Sequence, residues 1–388
     1  MDLLAALLEP SFRHPASCVI QLGADRKDLR ALTPLVRSLE IKTSRLEAAI
    51  GSLVMDDRRK EDGTWMAADS GLFGRWQPIR IQADFGGHKE ELFRGYVTKV
   101  APTFPANGGD ATLELQLQDD SALLDREHIR QVWGDGEPLS DRSILDALAS
   151  PHGFGVTADS GQGQKSRSLA QDTTPIKFLM ERAKANGYEL TFAEGEIYFG
   201  LPRLEGEVQA PILIYAGKAT NCISFAIADE AQKPDKVQFE MAPATEGATP
   251  ETETVGPDQP VLGKSPAADE GGALTAPSVW RMSREGDETL EEARTRAQAL
   301  ANQNSFKLRA SGELDGAIYG HVLKVGRPVA VDGAGTRYGG TYYVDTVNHV
   351  FSQDGYRQVF ELIRNGTGEA ASPLSPLSAA ASAISSLF

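Results

Sequence analysis

Six histidines, two cysteines, two Asp-Asp pairs and two glycine–lysine stretches are the residues of this chain that could do chemistry. The histidines, His14, His88, His128, His152, His321 and His349, are scattered. None forms a His-Glu-x-x-His pair, and none shares one element with another at metal-ligand spacing. His88 falls in a glycine turn. His349 falls on a strand, where it reads as a surface or groove residue rather than a catalyst. Asp56-Asp57 and Asp119-Asp120 are paired in sequence, but neighbours on a strand point to opposite faces, so they read as strand-end and turn residues. A glycosidase pair distant in sequence would carry no local motif. "VLGKS" (261–265) ends like a phosphate-binding loop, yet Asp258 stands where that loop needs its first glycine. "GQGQKS" (161–166) lacks a strand–helix setting and reads as a loop. No G-x-S-x-G elbow is present. Cys18 and Cys222 sit in apolar strand-like contexts and read as small buried hydrophobes. Sequence gives no distance between them, so a disulfide stays open. No catalytic, cofactor-binding or metal-binding residue is assigned, and no cofactor is expected.

The chain has 388 residues, enough for two or three cores. Thirty-nine basic and 54 acidic residues leave a net charge of −15, which argues against a nucleic-acid binder and against anionic membrane surfaces. No window approaches the roughly 18 to 20 apolar residues that span a bilayer. The N-terminal stretch "MDLLAALLEPSF" lacks a basic region and a cleavage signature, so synthesis and folding in the cytoplasm are expected.

The elements that would have to position any site are mostly strands. "SCVIQL" (17–22), 35–47, 77–85, 91–104 and "TLELQLQ" (112–118) are expected strands. In the last, Leu113, Leu115 and Leu117 share one face. A helix follows at 139–150, capped by Ser140. A second runs from Pro175 to Gly187 behind Thr174, and a hairpin turns at Glu194-Gly195. Strands resume at 210–215, 222–228 and 236–242. Residues 241–277 hold six prolines, six acids and one lysine, and read as a mobile loop or linker. The helix at 287–305 opens with a capping box, Thr289 and Glu292, and carries Leu290, Ala293, Ala297 and Leu300 on one face. A three-stranded meander, 328–333, 341–351 and 356–365, turns at Asp354-Gly355. The tail from 367 is expected to be flexible or to dock on a partner.

The final block carries a resemblance. Gly326, Val329, Val331, Gly333, Gly340, Tyr342, Tyr343, Val344, Val347, His349, Phe351, Gly355, Tyr356, Phe360, Leu362, Arg364 and Asn365 stand where the late control protein family of contractile phage tails has its C-terminal pattern. That family comprises baseplate hub proteins, related to the N-terminal hub part of type VI secretion spikes and to extracellular contractile injection systems. Residues 92–104, 175–200 and 287–303 resemble other segments of the same family.

The resemblance implies a mainly β (α+β) fold of two small antiparallel tail-tube-type β-barrels with an inserted α+β domain. The implied division is a first barrel at 1–118, an α+β domain at 119–205 and the first part of a second barrel at 206–242. An acidic, Pro-rich linker and helix follow at 243–305, then the final strands at 306–366 and a flexible tail at 367–388. It further implies a homotrimeric ring joining a six-fold inner tube to a three-fold spike around a cargo channel. The implied partners are the chain itself, a spike protein trimer, an inner tube or tube-initiator protein, and baseplate wedge proteins. Nucleic-acid binding of its own and membrane insertion are not expected. The implied location is a virion tail baseplate or a contractile injection particle, assembled in the cytoplasm. Strand alternation nominates Asp345, Glu361 and Glu114 as channel-facing acids. The rival readings are a tail-associated cell-wall hydrolase and a carbohydrate-binding tail component.

Overall fold

A computed structural model of the protein describes residues 16–106, 110–165, 168–241, 251–269, 274, 276–283, 285 and 288–368. The expected N-terminal stretch, parts of the 241–277 segment and the tail beyond 368 lie outside the described residues.

The chain is mainly β, as its alternating segments predict. The first block holds β1 (Ser17–Leu22), β2 (Val36–Ser44), β3 (Ile50–Asp57), β4 (Pro78–Asp84), β5 (Lys89–Thr103) and β6 (Ala111–Asp119). Alternation drives the burial. Leu39 and Ile41 on β2, Leu53 and Met55 on β3, Ile81 and Ala83 on β4, and Leu113 and Leu115 on β6 are all sealed from solvent in one core. β3 was not expected from the sequence, since "IGSLVMDD" holds only Leu53 and Met55 as an alternating pair, between Gly51 and two carboxylates.

The middle block alternates helix and strand: β7 (Ile129–Trp133), α1 (Asp141–Ala149), β8 (Leu169–Thr173), α2 (Pro175–Asn186), β9 (Glu189–Ala193) and β10 (Glu196–Gly200). Ser140 caps α1 by accepting from the Ser143 N–H. Thr174 stands at the N-cap of α2, but its hydroxyl donates to Asp125 (2.7 Å) instead of capping. Gly187 ends α2 at φ +67°, and a Cβ there would lie 2.7 Å from the Ala299 Cβ. Both the left-handed backbone and the close approach require glycine.

The remaining elements are β11 (Gln209–Leu213), β12 (Cys222–Asp229), β13 (Lys236–Met241), β14 (Glu251–Val255), β15 (Val279–Met282), α3 (Leu290–Ser305), β16 (Leu308–Asp315), β17 (Pro328–Asp332), β18 (Gly340–Ser352) and β19 (Gly355–Arg364). The capping box of α3 forms as expected between Thr289 and Glu292. Its buried face is Ala293, Ala297 and Ala301, set against Val237 and Phe239 of β13, while Leu290 stays exposed. Alanines at this spacing let the helix lie close on the sheet.

Reading 241–277 as a patternless linker does not hold for its described part. β14 and β15 flank β13 as a three-stranded sheet, and Ser265–Pro266 pairs with Gly366–Thr367. Polar side chains of the last strand, not local apolar pattern, hold this segment, so composition alone could not show its order. Arg364 donates to the carbonyls of Leu262, Gly339 (2.8 Å) and Gly368. Asn365 accepts from the Leu262 N–H (2.8 Å) and donates to the Pro260 carbonyl (2.8 Å).

The two strand blocks form one sheet, ordered β12-β16-β19-β18-β2-β3-β6-β5-β4-β1, with Lys27–Asp28 beyond β1, and β17 and β11 branching from β18. The join is the antiparallel ladder from Thr346↔Ser44 to Phe351↔Leu39. Among the described residues no run of strands closes on itself by pairing, and the path ends at β12 on one side and Lys27–Asp28 on the other.

Candidate functional site

The groups singled out for chemistry are taken up by structure. Asp56 pairs with Arg37 (2.6 Å), and Asp57 accepts from the Ala67 and Ala68 N–H groups (2.8 and 2.9 Å). Asp119 accepts from the Ala49 and Ser121 N–H groups, capping a short turn. Asp120 faces away from it, and burial pushes its carboxyl up to about 6. Gln164 of "GQGQKS" donates its N–H to Asp141 (2.8 Å), which also takes Arg182 (2.6 Å) and Asn186 (2.7 Å) and so ties α1 to α2. Gly263 of "VLGKS" lies against Gly366 and Thr367 in a paired strand, with a three-residue turn after it rather than a helix. Both cysteines are free, and burial raises both thiols, Cys222 to about 11.

His349 is not the surface or groove residue that its sequence setting suggested. It is 2% exposed and shares a hydrogen bond with the Tyr356 hydroxyl (2.9 Å). Burial lowers it to about 3, so it is neutral. Asp345 is likewise no channel-facing acid. It is buried on β18, in step with Tyr343, Val347, His349 and Phe351, where the register shifts between Val344 and Thr346. Glu361 is exposed and lies 3.9 Å from Arg309, and Glu114 is half-buried on β6.

At the bulge the three parts of the chain meet. Arg45, just past β2, donates from Nε to Asp345 (2.6 Å) and from Nη1 to Glu189 of β9 (3.3 Å). Glu189 accepts from the Tyr343 hydroxyl (2.8 Å), and that oxygen accepts from the Arg203 N–H (3.0 Å). Arg309 reaches the other Asp345 oxygen at 3.4 Å. Burial opposes the Arg45 charge, but Asp345 and Glu189 outweigh it and hold the guanidinium above its ordinary range. Burial also pushes the Tyr343 hydroxyl up, which keeps it a donor. The partners stand 300 and 144 residues apart, so no local pattern could have shown them. Asp345, Glu189 and the Tyr343 hydroxyl thus all have partners within the cluster.

Two surfaces carry exposed apolar side chains. A groove of about 2070 Å³ runs between α2 and α3, and the exposed Leu46, Leu201 and Trp280 stand along it. β12, at the end of the sheet, pairs only with β16 among the described strands and exposes Ile223.

A mainly antiparallel sheet of two strand blocks around an α+β unit is a fold shared with phage tail proteins. The chain covers 98% of a 43 kDa tail protein of prophage MuSo2 from Shewanella oneidensis, with 90% of its own length, a TM-score of 0.66 and 16% identity. A tail protein from Neisseria meningitidis MC58 matches with a TM-score of 0.64 and 12% identity, over 90% of this chain and 97% of that one. The E. coli c3393 protein, described as a component of the type VI secretion system with structural similarity to the T4 tail proteins gp27 and gp5, matches at 0.52 and 12%, over 90% and 77%. Residues 28–353 match the family model of the Alg8 N-terminal domain, and the chain belongs to that family. No curated protein matches it in sequence. Among the described residues no helix is long and apolar enough to cross a membrane.

Proposed function

We propose that this protein is a structural hub of a phage-type tail or contractile injection baseplate, a trimer whose two strand blocks per chain make a ring of six. In this reading the ring adapts a six-fold inner tube to a three-fold spike and surrounds the cargo channel. The observation that carries the reading is the sheet itself: two strand blocks joined by the β2–β18 ladder, with β12 at its end bonded on one side only among the described strands. Such an edge is a template for further strand pairing, and closed rotational symmetry would cover it. Each block then acts as a tube-type barrel unit completed within the assembly. The net charge of −15 suits a channel that must not hold polyanionic cargo. Spike, tube and wedge proteins are the partners the reading requires, and the tail or particle is where it acts. It assigns the chain no catalytic step, and a lytic band from the purified protein on peptidoglycan would count against that. Deleting the chain from its particle-producing strain is expected to abolish assembled tails. Full-length particles formed without it contradict the proposal.

A further inference from the structure

Where the β4–β5 hairpin meets the connection after β16, His88, Glu90 and His321 converge. The His88 Nε2, one Glu90 oxygen and the His321 Nδ1 all lie within 4.8 Å of one another. The same Glu90 Oε1 accepts from His88 (3.2 Å) and from His321 (2.7 Å). We propose that these three side chains bind a divalent transition-metal ion of the zinc class, clipping the first strand block to the last.

Two imidazoles and a carboxylate are a ligand set such ions favour, and donors bound at about 2.0 Å in a tetrahedron sit about 3.3 Å apart. The Glu90 oxygen lies 3.2 and 2.7 Å from the two imidazole nitrogens, within about 0.6 Å of that value, so small side-chain rotations suffice. The ion would take the place of the protons now shared with Glu90, and water would fill the fourth position on the solvent side, where His88 and His321 are half exposed.

The ligands are held from behind, as metal ligands usually are. The second Glu90 oxygen accepts from the Val322 N–H (2.9 Å). Burial works against the Glu90 charge, yet this N–H and His321 hold its carboxyl below the usual range. The His88 ring stacks on Phe85 at 5.2 Å, within the turn closed by the Phe85 N–H to the His88 carbonyl. His321 packs edge-on against Tyr319, whose hydroxyl donates to the Ala210 carbonyl. The backbone on either side is fixed by the fully buried Gln358, which donates to the His321 carbonyl and accepts from the Leu323 N–H, both at 2.8 Å. A cluster that only satisfied its own hydrogen bonds would not need two imidazole nitrogens aimed at one point from segments 231 residues apart.

The test is calorimetric titration of the untagged, chelator-treated full chain with zinc chloride, repeated with cobalt chloride to read the visible bands of a four-coordinate ion. One ion per chain is expected. His88→Ala, His321→Ala and Glu90→Gln should each weaken binding by more than about 10-fold. His128→Ala, which alters an exposed histidine beside Asp172, should leave binding unchanged. Circular dichroism establishes that each variant is folded. Absence of saturable binding by the wild type overturns the proposal, as does wild-type affinity in the folded His88→Ala/His321→Ala double variant.

Discussion

Two polar clusters join the first strand block to the last, and they are built oppositely. Around Arg45 the partners are closed in: Asp345, Glu189 and Tyr343 are buried against it, and Arg309 covers Asp345 from the exposed side. Around Glu90 the cluster is open, with two half-exposed imidazoles facing solvent. A closed cluster can fix how the blocks sit together but can bind nothing more. An open one contributes little to the fold by itself and keeps capacity for a ligand. The difference lies in burial, because charge taken out of water must be fully paired, whereas charge left in water is screened whether paired or not.

Arg45→Met breaks the closed cluster, leaving the buried Glu189 without its cation and Asp345 with only the exposed Arg309. We expect a loss of about 3–5 kcal/mol in urea unfolding. A loss below about 1 kcal/mol would mean that water already reaches the joint.

His349 tests the same burial argument through pH. The unfolded chain protonates it below about pH 6.5, and the folded chain resists until about 3. Stability is therefore present above the upper value and lost as pH falls through this window, at up to about 1.4 kcal/mol per unit. His349→Gln should flatten that slope while lowering stability at neutral pH. Equal slopes in both proteins would show that the imidazole is hydrated.

Arg364→Lys removes a fork that holds three backbone carbonyls, and a single ammonium cannot span them. A loss of about 1–3 kcal/mol is expected. Earlier proteolysis within 257–268 should accompany it. His321→Ala in metal-free buffer is the smallest effect, no more than about 1 kcal/mol, because its ion pair is exposed. A cost equal to that of Arg45→Met would erase the contrast.

Local pattern made most of the fold legible. Leu113, Leu115 and Leu117 alternate as a half-buried strand should, and the Thr289–Glu292 box opens α3 where expected. The segments that went unread are those held by distant partners. β14 and the stretch from Pro260 to Pro266 carry little apolar pattern and owe their order to β13, Arg364 and Asn365. Asp345 was expected on the channel side because its partner Arg45 lies 300 residues away, so nothing local showed that a buried carboxylate would be paired there. Neither polar cluster was visible, since each draws on residues from opposite ends of the chain. The residues behind the resemblance proved to be core and clamp: Tyr342, Tyr343, His349, Phe360 and Arg364 are all buried. They hold the wall of a sheet, which is why its tyrosines and histidine showed no catalytic spacing.

The central claim is that the open sheet edges are satisfied by copies of the same chain around a three-fold axis. Native mass spectrometry of the full chain, alone and co-expressed with the spike protein of its particle, measures this directly. The account predicts three copies of the chain in the complex with the spike. A single copy in both preparations, or a dimer in either, would contradict it.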